Sequence, residues 1–212
     1  MTTPEITPLE KSRGPLPRLK PADIVLVHIR GSLLRALVRR ITQSYWDHTT
    51  MIIYPQGENG LKHNIIIENV QRGMLSPFLL RGTEVHRLDK YFSNPQKYDI
   101  GIKRVSWLND DHRQRIRSFL ITNIDTPYWK LPLFKLIAAS VSRWYRRRLL
   151  NRQRWSCSAL VQKAYYESTA NWQERLKLIF KEGDWSPIEM QDLTSPADIA
   201  RSEKTVWIYN QH

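Results

Sequence analysis

The chain has 212 residues, enough for one domain with a substantial core, and its 41% hydrophobic content is typical of soluble globular proteins. A single cysteine excludes an internal disulfide, and no apolar stretch is long enough to span a bilayer. The first 14 residues lack the apolar run of a secretory signal. Together these features predict a cytoplasmic location. The formal net charge of +13 predicts attraction to polyanions such as anionic lipid or nucleic acid.

The N-terminal half of the chain is predicted to form strands around one helix. Residues 1–20 are rich in proline, threonine and charge and predict a flexible or loosely docked arm, so the fold should begin at Pro21. Short β-branched runs predict strands, and Ser32 is a candidate N-cap for a helix with Arg35, Arg39 and Arg40 on its polar side. The predicted elements are strands at 23–29, 48–54, 63–70, 83–88 and 98–105, and a helix at 33–42.

The C-terminal half is richer in helical patterns. Asn109 can cap a helix whose apolar residues share one face, and Ser195 with Pro196 predicts the start of a short helix. The predicted elements are helices at 109–124, 131–150, 157–169, 172–181 and 196–200, and a final strand at 205–209. Strands early, helices late and a short connection between the second and third strands predict a single α+β domain, residues 21–212, with an antiparallel sheet.

Cys157 is the only cysteine and lies at the predicted start of a helix. Ser156 is its candidate N-cap, so Cys157 falls in the first turn, where free backbone N–H groups and the helix dipole stabilise a thiolate. Arg152 and Arg154 add positive charge nearby. Such a thiol suits a nucleophile, although free cysteines are also often plain buried hydrophobes, and position alone leaves both interpretations open.

A cysteine nucleophile needs a base and a group that orients the base. His48 lies at a strand entry, where its side chain can reach a cleft, and Glu68 lies on the next predicted strand. The candidate catalytic set is therefore Cys157, His48 and Glu68. The alternative is structural: His48 is a satisfied strand-end histidine, and Glu68 forms a salt bridge with a nearby arginine.

Four ordered motifs carry a family resemblance: Asp23-Ile24-Val25, His48-Thr49-Thr50-Met51-Ile52-Ile53, Ile67-Glu68-Asn69-Val70 and Cys157-Ser158-Ala159-Leu160-Val161. In this order they resemble the circularly permuted NlpC-type papain-like cysteine hydrolases of the YiiX/YebB-like group. The segment from Ser195 to Ala200 is also similar to a recurring segment of that group, whereas Ala22 stands where glycine is usual.

The resemblance implies a papain-like α+β fold in which the cysteine helix packs on an antiparallel sheet. It implies that Cys157 attacks a carbonyl carbon, that His48 transfers protons and that Glu68 orients His48. Relatives in the wider superfamily cleave peptide amides or act on lipid acyl groups, so the implied substrate is an acyl amide or ester, of peptide or lipid origin. No cofactor and no metal are implied.

A basic segment precedes Cys157 and mixes arginines with large apolar residues. Three interpretations stay open: the segment lies on an anionic membrane, it binds the phosphates of a nucleic acid, or it is a helix with one solvated face. No nucleic-acid-binding motif accompanies it. Two classes of function stay open: a cysteine hydrolase, or a non-catalytic basic protein that docks on anionic surfaces. The candidate surface residues are Arg143, Arg146, Arg147, Arg148, Arg152 and Arg154.

Overall fold

Six strands and seven helices make up the part of the chain that the computed structural model describes, residues 18–56, 63–69, 82–125, 156–183 and 186–212. The strands are β1 (Ile24–Ile29), β2 (His48–Tyr54), β3 (Ile65–Asn69), β4 (Thr83–Arg87), β5 (Tyr98–Arg104) and β6 (Val206–Asn210). The helices are α1 (Leu33–Thr42), α2 (Asp89–Phe92), α3 (Asp110–Thr122), α4 (Cys157–Glu167), α5 (Trp172–Leu178), α6 (Pro187–Asp192) and α7 (Pro196–Arg201).

The strands form one sheet in the order β4-β3-β2-β1-β5-β6. Every neighbouring pair is antiparallel, including β2 and β3. This confirms the predicted α+β class and its antiparallel sheet. The central strand β1 places Val27 opposite His48, the first residue of β2. The start of β2 is therefore fixed by a ladder to the buried part of β1, where Val27 has no exposed surface.

The sheet has apolar residues on both faces because successive side chains of a strand point to opposite sides. Ile24 and Leu26 of β1 pack in a cluster with Leu160 and Tyr165 of α4. On the opposite face, Val25 and Val27 pack in a second cluster with Leu88 and Tyr91. Helix α4, which carries the cysteine, thus lies against one face, and the short helix α2 contributes to the other.

The entry to β1 is held by a buried ion pair. The Asp23 carboxylate accepts from Arg104 Nε at 2.7 Å and from its terminal nitrogen at 2.6 Å, and also from the Lys20 backbone N–H at 2.7 Å. Ala22 has a left-handed backbone with φ of 70°, a conformation that favours glycine. Leu19 is buried, so the described end of the predicted arm packs against the sheet.

Some predicted features lie outside the described residues. They are the helix predicted at 131–150 and the six arginines Arg143, Arg146, Arg147, Arg148, Arg152 and Arg154. Among the helices of the described ranges, none combines the length and apolarity needed to cross a membrane.

Candidate active site

Cys157 is the first residue of α4, and the start of this helix is fixed by two serines. The Ser156 hydroxyl accepts from the Ala159 backbone N–H at 3.1 Å, which confirms the predicted N-cap. The Ser158 hydroxyl donates to the Thr194 carbonyl at 2.6 Å, just before α7. Because the residues on both sides of Cys157 are bonded, the backbone that carries the thiol is fixed, and 9% of the residue is exposed.

The thiol interacts with the His48 imidazole and with Thr49 at the start of β2. Burial alone would raise the pKa of Cys157, but the charge and hydrogen bond of His48, helped by the Thr49 backbone and hydroxyl, outweigh burial and lower this pKa to about 6. Among the described residues the Thr49 hydroxyl oxygen has no partner of regular hydrogen-bond geometry, although it is fully buried. The Thr49 hydroxyl therefore acts on the thiolate mainly as a nearby dipole.

Glu68 binds the other side of the His48 ring. Its Oε2 lies 2.7 Å from His48 Nε2 and accepts from the Tyr91 hydroxyl at 2.6 Å. Its Oε1 forms an ion pair with Lys90. With 2% of the residue exposed, Glu68 is a buried carboxylate whose partners come from β2 and from α2.

This arrangement defines the roles of the two imidazole nitrogens. His48 Nε2 is engaged by Glu68, which leaves Nδ1 as the nitrogen available to the thiol. Burial lowers the pKa of the Lys90 ammonium to about 8, which is still above neutral pH. Its ion pair with Glu68 also favours the charged form. The Lys90 ammonium lies on Oε1 and the His48 ring on Oε2, so the Glu68 carboxylate links the two side chains and fixes the orientation of the ring.

The structure thus brings together the three residues predicted as a catalytic set, Cys157, His48 and Glu68. The structural alternative for Glu68 named an arginine partner, but the ion pair is with a lysine. Lys90, Tyr91 and Thr49 were not predicted as site residues. Lys90 and Tyr91 belong to the four-residue helix α2, which is too short to produce a periodic pattern. Thr49 could have been found in the sequence only because it is the residue after His48.

Three of the other histidines have their shortest polar contacts outside the site. His28 Nδ1 lies 2.7 Å from the Tyr45 carbonyl, and His112 Nδ1 lies 2.6 Å from Asn109 Oδ1. His86 is closer to Glu84 Oε2, at 3.1 Å, than to Glu68 Oε1, at 4.0 Å. Within the described ranges, His48 is therefore the histidine that acts on the thiol.

Asp47, the residue before His48, binds arginines rather than the imidazole. Its carboxylate pairs with Arg35 at 3.0 Å and with Arg39 at a shorter separation, and it accepts from the Ile29 backbone N–H at 3.1 Å. The side chain of Asp47 is fully buried. These bonds fasten α1 to the strand entry that carries His48.

Fold and site together define an α+β protein with a buried cysteine–histidine–glutamate arrangement at one end of its antiparallel sheet. No family model and no curated protein matches the sequence. Among solved structures the chain is similar to metalloprotein yiiX from Escherichia coli O157:H7, with a TM-score of 0.57 and 16% identity over 92% of this chain and 98% of that one. At this identity the likeness establishes a shared, yiiX-like fold.

Proposed function

We propose that the chain is a thiol hydrolase that cleaves amide or ester bonds through Cys157, His48 and Glu68. One observation carries the proposal: the Cys157 thiol, with a pKa lowered to about 6, lies against an imidazole whose far nitrogen is bound by a buried carboxylate. A purely structural cysteine has no need of a lowered pKa, whereas a nucleophile at neutral pH does.

The reaction follows from these groups. The Cys157 proton passes to His48, and the thiolate sulfur attacks the carbonyl carbon, forming a C–S bond while the carbonyl electron pair moves to oxygen. When that pair returns, the bond to the leaving nitrogen or oxygen breaks, and His48 donates its proton to the leaving group. Water, deprotonated by His48, then attacks the thioester. The C–S bond breaks, which releases the acid and restores the cysteine.

The start of α4 offers a donor for the negative oxygen of the intermediate. The Cys157 backbone N–H lies in the first turn of the helix, where it has no carbonyl four residues earlier within the helix to bond. In acyl transfer the negative oxygen of the intermediate forms next to the nucleophile, where this N–H group can donate a hydrogen bond to it. The same first turn therefore serves the thiolate and the intermediate.

The chain order of the site residues supports a circularly permuted papain-like relationship. The histidine and glutamate strands precede the cysteine helix in the sequence, in the order that the family resemblance implies. The yiiX-like fold is consistent with it. In this proposal, α4 and the sheet form the catalytic core.

The neighbour yiiX is described as a metalloprotein, but the residues of this site do not fit a metal ion. Within the described ranges, no group of three or more His, Cys, Asp or Glu side chains is arranged to bind one. Glu68, the nearest carboxylate, is already occupied by His48, Tyr91 and Lys90. The proposed mechanism uses the thiol and the imidazole.

Acyl transfer to the enzyme tests the proposal. With p-nitrophenyl esters and acyl anilides of varied chain length, the wild type should release chromophore and gain one acyl group on Cys157, detected by intact mass. Cys157→Ala should lose both signals, and His48→Ala should reduce turnover by about a hundredfold or more. Turnover that Cys157→Ala leaves unchanged would contradict the proposal.

A further inference from the structure

Helix α1 presents its apolar side to solvent and its basic side to the protein. Arg35 and Arg39 turn inward to the buried Asp47. Leu33, Leu37 and Ile41, spaced four residues apart on one face, are 91%, 44% and 39% exposed. This reverses the usual arrangement, in which the apolar side of an amphipathic helix packs on the core and the charged side meets water.

The reversed orientation is set by the ion pairs. Burying the Asp47 carboxylate is favourable only when it is paired with arginines. Helix α1 is therefore held with Arg35 and Arg39 facing Asp47. The three apolar side chains, which we call the α1 stripe, are then left outside. An ordered row of large apolar side chains on a surface marks a place where a partner binds.

The charges around the α1 stripe identify the partner. From Ile24 to Trp46 the sequence has four arginines, of which Arg30 pairs with Asp99 and Arg35 and Arg39 pair with Asp47, within a chain of net charge +13. Arg40 is exposed on the helix itself, and Arg201 binds the carbonyls of Thr42 and Gln43 at its C-terminal end. Apolar side chains flanked by cations are the pattern that binds the boundary between head groups and acyl chains in an anionic bilayer.

Other partners fit less well. A second copy of the chain on a two-fold axis would bring Arg40 and its neighbours against the same positive surface. A nucleic acid would meet the cations but would leave the apolar side chains without an apolar environment.

We propose that α1 is an interfacial helix that docks the protein on anionic lipid surfaces through Leu33, Leu37 and Ile41. This surface differs from the arginines at 143–154 and requires no catalysis. It is nevertheless linked to the candidate site, because Asp47, the residue before His48, is paired with Arg35 and Arg39 of α1. Docking would thus place the site beside the lipid surface.

Vesicle flotation of the full chain tests this. The protein should float with vesicles made of equal parts phosphatidylcholine and phosphatidylserine, and weakly or not at all with phosphatidylcholine alone. The double variant Leu33→Gln/Leu37→Gln keeps good helix formers and should weaken binding about tenfold. Arg40→Gln should weaken it about fivefold, with less effect at high salt.

Leu176→Gln is the matched control, since Leu176 is a helical leucine that is 46% exposed, against 44% for Leu37. It should bind vesicles like the wild type. Vesicle binding that the double leucine variant leaves unchanged would overturn the proposal, as would an equal loss in Leu176→Gln. Light scattering without lipid supplies a further test: a dimer that the double variant converts to a monomer would assign the stripe to a second copy of the chain.

Discussion

At the residue scale, the properties of Cys157 are set by neighbours from three distant parts of the chain. His48 lowers the pKa of its thiol, Glu68 holds the imidazole, and Lys90 and Tyr91 hold Glu68. Each group by itself is ordinary. The reactivity expected of the thiol comes from the order in which they are bonded, because each bond fixes the orientation and charge of the next group.

The Thr49 hydroxyl gives a sharp test at this scale. Thr49→Val keeps the shape of the side chain but removes a dipole that favours the thiolate, so the pKa of Cys157 should rise by about half a unit, the equivalent of part of one hydrogen bond. The pH dependence of thiol alkylation measures it. Thr50→Val is the control, since the Thr50 hydroxyl donates instead to the Ile67 carbonyl at 2.7 Å. Equal shifts in both variants would rule out a specific role for Thr49.

At the element scale, the first turn of α4 and the start of β2 hold the site, and α1 is fastened to the same strand entry by Asp47. The two arginines of α1 that bind Asp47 retain 33% and 17% side-chain exposure, so this ion-pair cluster is only partly shielded from solvent. It should therefore stabilise the packing of α1 against the rest of the protein less than a fully buried pair would.

Removing Asp47 should loosen α1 without unfolding the sheet. We expect Asp47→Ala to cost about 2 kcal/mol of stability and to increase amide hydrogen exchange mainly across residues 33–42. Asp111→Ala is the control, because Asp111 forms an exposed pair with Arg115, at 63% and 56% side-chain exposure, and should cost little. Exchange that rises uniformly over the molecule would contradict this anchoring role.

At the scale of the whole molecule, the buried Asp23–Arg104 pair joins the central strands β1 and β5. Asp23→Ala would remove the buried carboxylate that Arg104, and Arg113 nearby, share. The expected cost is about 3–5 kcal/mol, or a fall in Tm of roughly 10 °C. Thermal unfolding followed by circular dichroism measures it, again against Asp111→Ala, and a Tm within about 2 °C of the wild type would show that the pair contributes little.

Much of this architecture could be predicted from local patterns. The β-branched runs indicated β1 and β2, Ser32 and Ser156 indicated two helix starts that the structure confirms, and the short connection indicated antiparallel pairing. Helix α2 was not predicted, because four residues are too few for helical periodicity to appear. Helix α6 was also missed, although Ser186 followed by Pro187 and Glu189 is the same kind of start signal that predicted α7.

The candidate site could be predicted only as far as residue types and order allowed. Sequence suggested that Cys157, His48 and Glu68 belong together, but the choice of Lys90 as the partner of Glu68 depends on a long-range contact. Likewise, the amphipathic pattern of α1 placed arginines on one side and could not say which side faces the protein. Buried ion pairs decide that orientation, and they arise only in the folded chain.

The pH dependence of Cys157 alkylation measures whether His48 activates the thiol. Iodoacetamide is small and neutral, and intact mass is unambiguous because the chain has one cysteine. In the wild type the alkylation rate should rise with pH around a midpoint near 6, as the thiol ionises. In His48→Ala the midpoint should move up toward or beyond the ordinary thiol value of about 8.5, whereas His28→Ala should leave it in place. A wild-type midpoint at the ordinary value, or one that His48→Ala does not move, would show that His48 does not activate the thiol.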